Sequence, residues 1–250
     1  MSDAAIQTLA TWFDEARSAV FFGGAGVSTA SGIPDFRSAA GLYASRANIG
    51  RSPEYLLSHD CLMREPTEFY AFHRAELVRP DAKPNRAHTA LARLEAEGRL
   101  AAIVTQNIDG LHQAAGSKIV HEVHGSLARN YCLGSERHEF ILADIPDEPV
   151  VPACPECGAM IRPDVVLYGE ALDSDVVAAS ILAIADADLL VVGGTSLVVY
   201  PAAGFLQYYQ GDRLAVVNLG ATGADDQADL LISAPIDEVL DGVCQRLFGA

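Results

Sequence analysis

Residues 23–37 read GGAGVSTASGIPDFR, and this stretch decides the fold of the chain. It follows an apolar run at 19–22 that predicts a short buried strand. A strand that breaks into a glycine-rich turn is typical of phosphate binding, because glycine lets the backbone approach the anion and the N–H groups of a following helix can face it. The dinucleotide pattern G-x-G-x-x-G is incomplete, since Thr29 stands in place of the third glycine. The acid, aromatic and guanidinium groups at 35–37 are a further difference from the usual dinucleotide-binding pattern.

The composition is typical of a globular protein, with 50% hydrophobic and 20% charged residues among 250. The net charge is −16 and Lys and Arg form no cluster, so a nucleic-acid partner is not expected. Residues 189–211 carry no charge, but glycines and Pro201 interrupt them, which predicts buried strand, loop and helix and no contact with a membrane. Because the N-terminus lacks a basic, apolar leader, we expect a soluble cytoplasmic protein.

Apolar runs and helical periodicity alternate along most of the chain. Strand-like runs occur at 19–23, 101–105, 118–123, 188–193 and 213–219. Helical patterns occur at 3–17, 86–97, 173–186, 201–210 and 235–248. Strands that alternate with helices indicate an α/β fold, a doubly wound parallel sheet of the Rossmann type, in which ligands bind at the carboxyl ends of the strands.

Two stretches interrupt this alternation and read as insertions. The first, 38–85, is mostly helical in pattern, and the second, 126–164, is rich in cysteine and proline. We expect the helical module and a zinc-ribbon-like module to form a smaller domain together. The remaining segments, 1–37, 86–125 and 165–250, would form the Rossmann-like domain.

Polar motifs with glycine follow several of the predicted strands. Residues 105–112 read TQNIDGLH, and their amide and acid side chains lie either at a ligand or at a helix N-cap. His124 precedes a glycine at another strand end, where a His that titrates near neutral pH is a candidate general base. GGTS at 193–196 and NLG at 218–220 are weak signals alone. Because the carboxyl ends of parallel strands share one edge, these motifs together predict one ligand site.

The cysteines suggest a metal site with an incomplete set of ligands. Cys154 and Cys157 form a C-x2-C turn of the zinc-ribbon type, and Cys132 lies 22 positions upstream. A second C-x2-C pair would place the fourth ligand at Ser135, which is a poor zinc ligand. His138 or Glu136 could take its place, since Cys3His sites exist, and otherwise the module folds without metal.

Together the motifs resemble those of the sirtuins, which are NAD-dependent protein-lysine deacylases. The matching segments follow the order of the family and span about residues 20–232: GAGVSTASGIPDFRS, TQNIDGLH, VHG, CPECG, IRPDVVLYGE, GTSLVVYPA and VVNLG. The compact length resembles that of prokaryotic members. The resemblance implies a Rossmann-like NAD-binding domain and a small domain, with NAD in the cleft between them.

The resemblance also implies roles for individual residues. His124 would be the general base, and Asn107 a second catalytic residue. Residues that would line the NAD site are Ala25, Gly26, Thr29, Phe36 and Arg37 at the dinucleotide and nicotinamide ribose, Gln106, Ile108 and Asp109 at the nicotinamide pocket, and Thr195, Ser196, Asn218 and Ile232 at the adenosine end. Cys132, Cys154 and Cys157 would correspond to three of the four cysteines that hold zinc in the family.

The implied reaction removes an acetyl group from a protein lysine and yields nicotinamide and O-acetyl-ADP-ribose. The acetylated peptide would be gripped as an added strand, a mode of binding that reads little sequence. Residues that match the flanking segments are Val166, Tyr168, Gly169, Glu170 and Val198. Neither the substrate protein nor the oligomeric state follows from these motifs.

The acyl preference has one local indication. Sirtuins that prefer succinyl or malonyl groups carry Tyr and Arg three positions apart, so that Arg pairs with the acyl carboxylate. Here Tyr70 is followed at that distance by His73, and Arg74 comes next. We therefore expect a deacetylase rather than a desuccinylase.

Three alternatives compete with this interpretation. A Rossmann dehydrogenase would have the third glycine and an acid at the end of a second strand about 20 residues on, and both are missing. A mono-ADP-ribosyltransferase on the same scaffold would need the same cleavage of nicotinamide. A non-catalytic NAD or ADP-ribose sensor would have lost its general base, yet His124 is present.

Overall fold

The computed structural model describes residues 3–35 and 50–249. The strands of this part of the chain are β1 (Ala19–Gly23), β2 (Ala102–Thr105), β3 (Val120–Glu122), β4 (Gly125–Cys132), β5 (Glu139–Ile141), β6 (Ile161–Val165), β7 (Leu189–Gly193), β8 (Leu214–Val217) and β9 (Leu230–Ile232). Its α-helices are α1 (Asp3–Glu15), α2 (Pro53–Leu56), α3 (His59–Arg64), α4 (Pro66–Glu76), α5 (Arg86–Ala96), α6 (Leu111–Ala115), α7 (Ser174–Ala185) and α8 (Ile236–Phe248).

Six strands form a parallel sheet in the spatial order β3-β2-β1-β7-β8-β9. The four central strands are buried along their whole length, as their nearly continuous apolar sequences require. Numbered within this sheet alone, the order is 3-2-1-4-5-6, which is the Rossmann order. The predicted Rossmann-like sheet is therefore confirmed, and the strand order reverses between β1 and β7.

Helices cover both faces of the parallel sheet. Successive residues of a strand point to opposite faces, so Phe21 packs with α1, α5 and α8, whereas Phe22 packs on the face covered by α7. The segment predicted as a helix at 201–210 is a 3-10 helix, Ala202–Tyr208. Strand β9 was not predicted, because three residues are too few to show an apolar run beside an acidic loop. None of the helices in the described ranges is long and apolar enough to span a membrane.

A second sheet contains three antiparallel strands in the order β5-β4-β6. It shares a hydrophobic cluster with α2, α3 and α4, in which Leu62 and Phe69 pack with Leu127 and Val165. The two insertions thus pack against one another, as the sequence predicts. The strands themselves were not predicted, since the pairing of β4 with β6 shifts register between Ser126 and Asn130 and disturbs the alternation of buried and exposed residues.

The two sheets are joined by a turn at Val123 and His124. The N–H group of Val123 donates to the Thr105 carbonyl at the end of β2, whereas the His124 carbonyl accepts from Val166 N–H, just after β6. Gly125 has φ of +76°, and a Cβ atom there would lie 2.1 Å from the Asp164 carbonyl oxygen. Only glycine fits such a position, so His124 is fixed at the boundary of the two sheets.

The segment after β6 is anchored by a buried ion pair. Arg162 contacts both carboxylate oxygens of Glu170, at 2.5 and 3.0 Å. The same carboxylate lies 2.8 Å from Nδ1 of His59 and accepts from Leu167 N–H at 2.9 Å. The backbone of Tyr168 is bonded to Leu57 and His59 on the neighbouring helical module. Residues 166–170 are therefore held in one conformation.

Replacing Glu170 should destabilise the protein in a pH-dependent way. Burial alone would raise the pKa of Glu170, but the bonds from Arg162, Leu167 N–H and His59 outweigh it and lower the pKa to about 2. The stability contributed by this carboxylate is then complete above the unfolded pKa of about 4.3 and is lost as the pH falls towards 2. We expect Glu170→Gln to reduce the free energy of unfolding by about 1.5–3 kcal/mol at pH 7.

Urea denaturation at pH 7 and at pH 2.5 would measure this difference, with the exposed Glu97 replaced by Gln as the matched control. The difference between wild type and Glu170→Gln should shrink at the lower pH. Equal stability of wild type and variant at pH 7 would contradict the anchoring role.

Candidate active site

Two glycine-rich loops meet where the strand order reverses, at the carboxyl ends of β1 and β7. Gly26 N–H donates to the Gly194 carbonyl at 2.8 Å, and a Cβ atom on Gly26 would lie 2.8 Å from the Cα atom of Gly194. The contact between the loops therefore requires a glycine at 26, whether or not an anion binds there. No α-helix follows directly within the described residues up to 35: the chain continues in two 3-10 turns, Ala25–Val27 and Thr29–Ser31.

The remaining predicted residues of this loop differ in how they are placed. Ala25 is half-buried, and the exposed Thr29 donates its hydroxyl to the Gly26 carbonyl at 3.0 Å. Phe36 and Arg37 lie outside the described residues, so their predicted contact with the nicotinamide ribose stays a prediction.

The loop after β2 joins the glycine loops through its side chains. Gln106 donates from Nε2 to the Thr195 hydroxyl at 3.1 Å, which links the ends of β2 and β7. Asn107 donates from Nδ2 to the Ser28 hydroxyl at 3.1 Å, and Ser28 in turn donates to Asp109 Oδ2 at 2.6 Å. The structure thus brings four of the predicted residues, Gln106, Asn107, Asp109 and Thr195, to one edge of the sheet and adds Ser28.

Asp109 serves two partners at once. Its second oxygen accepts from Leu111 N–H at 2.9 Å, at the start of α6. The N-cap residue of α6 is Gly110, so the interpretation of Asp109 as the N-cap is wrong, although Asp109, one position earlier, bonds the first N–H of the helix through one oxygen and Ser28 through the other. Ile108 packs in the hydrophobic cluster of the small sheet and accepts from Leu127 N–H at 2.8 Å.

His124 has one ring nitrogen engaged by the backbone. Its Nδ1 atom lies 2.9 Å from the Gln106 carbonyl, which can only accept, so Nδ1 carries the proton and Nε2 keeps its lone pair. Burial lowers the pKa of His124 below its ordinary value, and the bond to Gln106 opposes this only in part. The imidazole is consequently neutral at pH 7, the state in which it can accept a proton.

The residues predicted for the adenosine end lie at the carboxyl ends of the adjacent strands β7, β8 and β9. Asn218 N–H donates to the Ile232 carbonyl at 3.1 Å, so these two residues are in contact. The Asn218 side chain donates to Gly220 at 2.8 Å, and Ser196 is exposed.

The predicted peptide-binding residues fall into two groups. Tyr168 and Val198 are exposed. The backbone of Val166 is bonded to His124, and the side chain of Glu170 is saturated by Arg162, His59 and Leu167. Gly169 has φ of +89°, a value that favours glycine. A peptide could therefore use the main chain near Gly169 but not the Glu170 carboxylate.

Four side chains in the small sheet form a cluster that could hold a zinc ion: Cys132, His138, Cys154 and Cys157. His138 Nδ1 lies 3.6 and 3.4 Å from the Sγ atoms of Cys132 and Cys154, and Cys132 Sγ lies 3.7 Å from Cys157 Sγ. Tetrahedral zinc with its usual bond lengths separates sulfur and nitrogen ligands by about 3.5–3.8 Å, so the donor set fits this ion. Ser135 is exposed and outside the cluster.

The surroundings of the cluster agree with metal binding. Glu136 lies 3.1 Å from His138 Nε2, an arrangement that leaves Nδ1 for a metal. A Cβ atom on Gly134 would lie 2.7 Å from Cys157 Sγ, so a side chain there would intrude on the cluster. The sequence left His138 and Glu136 as alternatives for the fourth position, and the geometry selects His138.

Comparison with known proteins agrees with this site. A model of the Sir2 family matches residues 24–201. An NAD-dependent protein deacetylase of Clostridium perfringens is 52% identical over 245 residues, which cover 96% of this chain and 99% of that protein. One of Cutibacterium acnes is 52% identical over 237 residues, which cover 95% and 96%.

Solved structures give the same result. A Sir2 chain with a deacetylated p53 peptide and 3′-O-acetyl ADP ribose has a TM-score of 0.88 and 38% identity, with 96% of this chain and 98% of that chain covered. A Sir2 structure with a p53 peptide and NAD+ has a TM-score of 0.84 and 38% identity over the same shares. On the matched region and the identity of these relatives, this chain belongs to the Sir2 family.

Proposed function

We propose that this protein is an NAD-dependent protein deacetylase, which removes acetyl groups from lysine side chains and yields nicotinamide and O-acetyl-ADP-ribose. The observation that carries the proposal is the neutral His124, whose free Nε2 lies at the edge where Gln106, Asn107 and Asp109 gather. The relatives that share about half of their residues with this chain are named NAD-dependent protein deacetylases. Similar solved structures hold an acetylated peptide, NAD+ or O-acetyl ADP ribose.

The residues of the site would have different roles in this reaction. NAD, when bound, would supply a ribose with a good leaving group, and the glycine loops with Gln106 and Asp109 would hold it. His124 accepts a proton at Nε2 and is held for this by the Gln106 carbonyl at Nδ1. The exposed Tyr168 and Val198 would flank the peptide. Residues that would hold the adenosine end are Thr195, Ser196, Asn218 and Ile232.

ADP-ribosyl transfer to a protein would use the same cleavage of nicotinamide. The oriented base favours deacetylation over a non-catalytic sensor, because a sensor needs no base. The names of the relatives favour deacetylation over ADP-ribosyl transfer. We further propose that the protein works in the cytoplasm, where NAD is available and where its five cysteines, which form no disulfide, stay reduced.

Replacing the proposed base should abolish deacetylation. We expect His124→Ala to lower the rate of acetyl removal by about 10²–10⁴-fold, since proton transfer by a positioned side chain contributes that much. Mass spectrometry of an acetyl-lysine peptide, with and without NAD, would measure the rate. His121→Ala, three residues away on β3, is the matched control and should stay near wild type. Retained activity in His124→Ala would contradict the assignment.

The acyl preference should follow from how the polar side chains at 70, 73 and 74 are already engaged. Tyr70 donates its hydroxyl to the Ile161 carbonyl, and Arg74 is bonded to the carbonyls of Pro146 and Asp147. Burial lowers the pKa of His73 to about 4, so this imidazole is neutral at pH 7. A carboxylate at the end of the acyl chain would meet a neutral imidazole at position 73, and the Arg74 guanidinium, although charged, is held by the backbone carbonyls of Pro146 and Asp147.

We therefore expect the kcat/KM for acetyl-lysine to exceed that for succinyl-lysine by at least about tenfold. A factor of this size is expected when one buried charged group lacks a partner. Propionyl-lysine separates charge from size, because it is larger than acetyl but neutral, and it should remain a substrate. Comparable turnover of succinyl- and acetyl-lysine peptides would overturn this preference.

The cysteine cluster should bind one zinc ion per chain through His138. We expect His138→Ala to lose most bound zinc, whereas Ser135→Ala should retain it, because Ser135 lies outside the cluster. Metal analysis of the purified variants, followed by chelator competition, would measure this. A zinc content near zero in the wild-type protein, or its loss in Ser135→Ala, would contradict the assignment.

A further inference from the structure

A fully buried histidine lies directly behind the polar cluster of the site. His88, on α5, is 0% exposed, and its neighbour Ser28, which is bonded to Asn107 and Asp109, is 1% exposed. The Nε2 atom of His88 lies 3.4 Å from the Ser28 hydroxyl oxygen, a long hydrogen bond. None of the sequence motifs includes His88, because 60 residues separate it from Ser28.

The position of the proton on His88 follows from its other neighbour. Asn85 N–H points at Nδ1 at 3.2 Å, and a backbone N–H can only donate. Nδ1 must therefore accept, which places the ring proton on Nε2. Burial lowers the pKa of His88, although the Asp109 carboxylate opposes this, so the ring is neutral at pH 7.

The same reasoning fixes the hydroxyl of Ser28. Its oxygen accepts from His88 Nε2–H and from Asn107 Nδ2, which occupies both lone pairs. Its single proton is left for Asp109, at the short distance of 2.6 Å. With the opposite tautomer, His88 would present a bare Nε2 and compete with Asp109 for that proton.

We propose that His88 is a positioning residue of the active site: its Nε2–H tautomer, imposed by the N-cap of α5, directs the Ser28 hydroxyl to Asp109 and so fixes the Asp109 and Asn107 side chains. This inference rests on the proposed function only for its effect on turnover. The helix cap and the catalytic cluster then share one imidazole. Substrate turnover thus depends on a residue that does not touch the substrate.

The tautomer can be read directly in the wild-type protein, without any reaction. Two-bond proton–nitrogen correlations on protein with ¹⁵N-labelled histidine show which ring nitrogen carries the proton. The protein has seven histidines, and the spectrum of His88→Gln identifies the signal of His88 by its loss. A proton on Nδ1 would overturn the proposal.

Two substitutions separate the positioning role from the structural one. Gln and Glu both serve at this position of a capping box, so His88→Gln and His88→Glu keep an acceptor for Asn85 N–H. Only Gln can also donate to Ser28, whereas Glu accepts and draws the Ser28 proton away from Asp109. We expect a lower melting temperature for Glu, because it buries a second carboxyl group beside Asp109. At a temperature where both variants are folded, we expect near-wild-type kcat/KM for NAD with Gln and a loss of about 10- to 100-fold with Glu.

The outcomes are distinct. Equal losses in both variants, or no loss in either, would overturn the proposal. Should the Glu variant fail to fold, the tautomer of the wild-type protein and the activity of His88→Gln still decide it. A wild-type protein that releases no acetyl group would refute the proposed function, while the tautomer measurement would stand on its own.

Discussion

The structure depends on the turn between the two sheets at Val123, His124 and Gly125. Val123 is bonded to the end of β2 in the parallel sheet, and the His124 carbonyl is bonded to Val166, the first residue after β6 in the small sheet. The left-handed backbone at Gly125 lets the chain pass against the Asp164 carbonyl, where no Cβ atom fits. One short turn thus sets how the two sheets are placed and holds the proposed base at their boundary.

This constraint explains why His124 is oriented as well as placed. The carbonyl that accepts from Nδ1 belongs to Gln106, the first residue after β2, and β2 is the neighbour of β3 in the sheet. The side chain of Gln106 is bonded to Thr195, which follows β7. The position of His124 is therefore fixed through Gln106 relative to the loops that follow β2 and β7. A shift of β3 relative to β2 would move the ring away from the acceptor that fixes its tautomer.

The sequence predicted the parallel sheet and its site because both depend on local patterns. Apolar runs mark buried strands, and Gly26, Asn107 and His124 each follow one directly. The same local patterns do not predict contacts between residues that are far apart in the sequence. Ser28 is bonded to His88 and to Asp109, which lie 60 and 81 positions further along the chain. The hydrophobic periodicity of the sequence carries no information about such distant pairs. Spacing alone could not choose between His138 and Glu136, whereas the coordinates place Nδ1 among the sulfurs and the carboxylate behind the ring.

The incomplete dinucleotide pattern now has a physical reason. In the Rossmann pattern the third glycine allows a helix to pack closely on its strand. Here the chain after Gly26 forms 3-10 turns, and Thr29 is exposed with its hydroxyl on Gly26, so no close helix packing requires a glycine at 29. The space beside β1 is used by Ser28, Asn107, Asp109 and His88, a polar network in place of a helix end. A dehydrogenase leaves the glycosidic bond of NAD intact and has no need of such a network, whereas a reaction that cleaves this bond needs polar groups fixed around the departing ring.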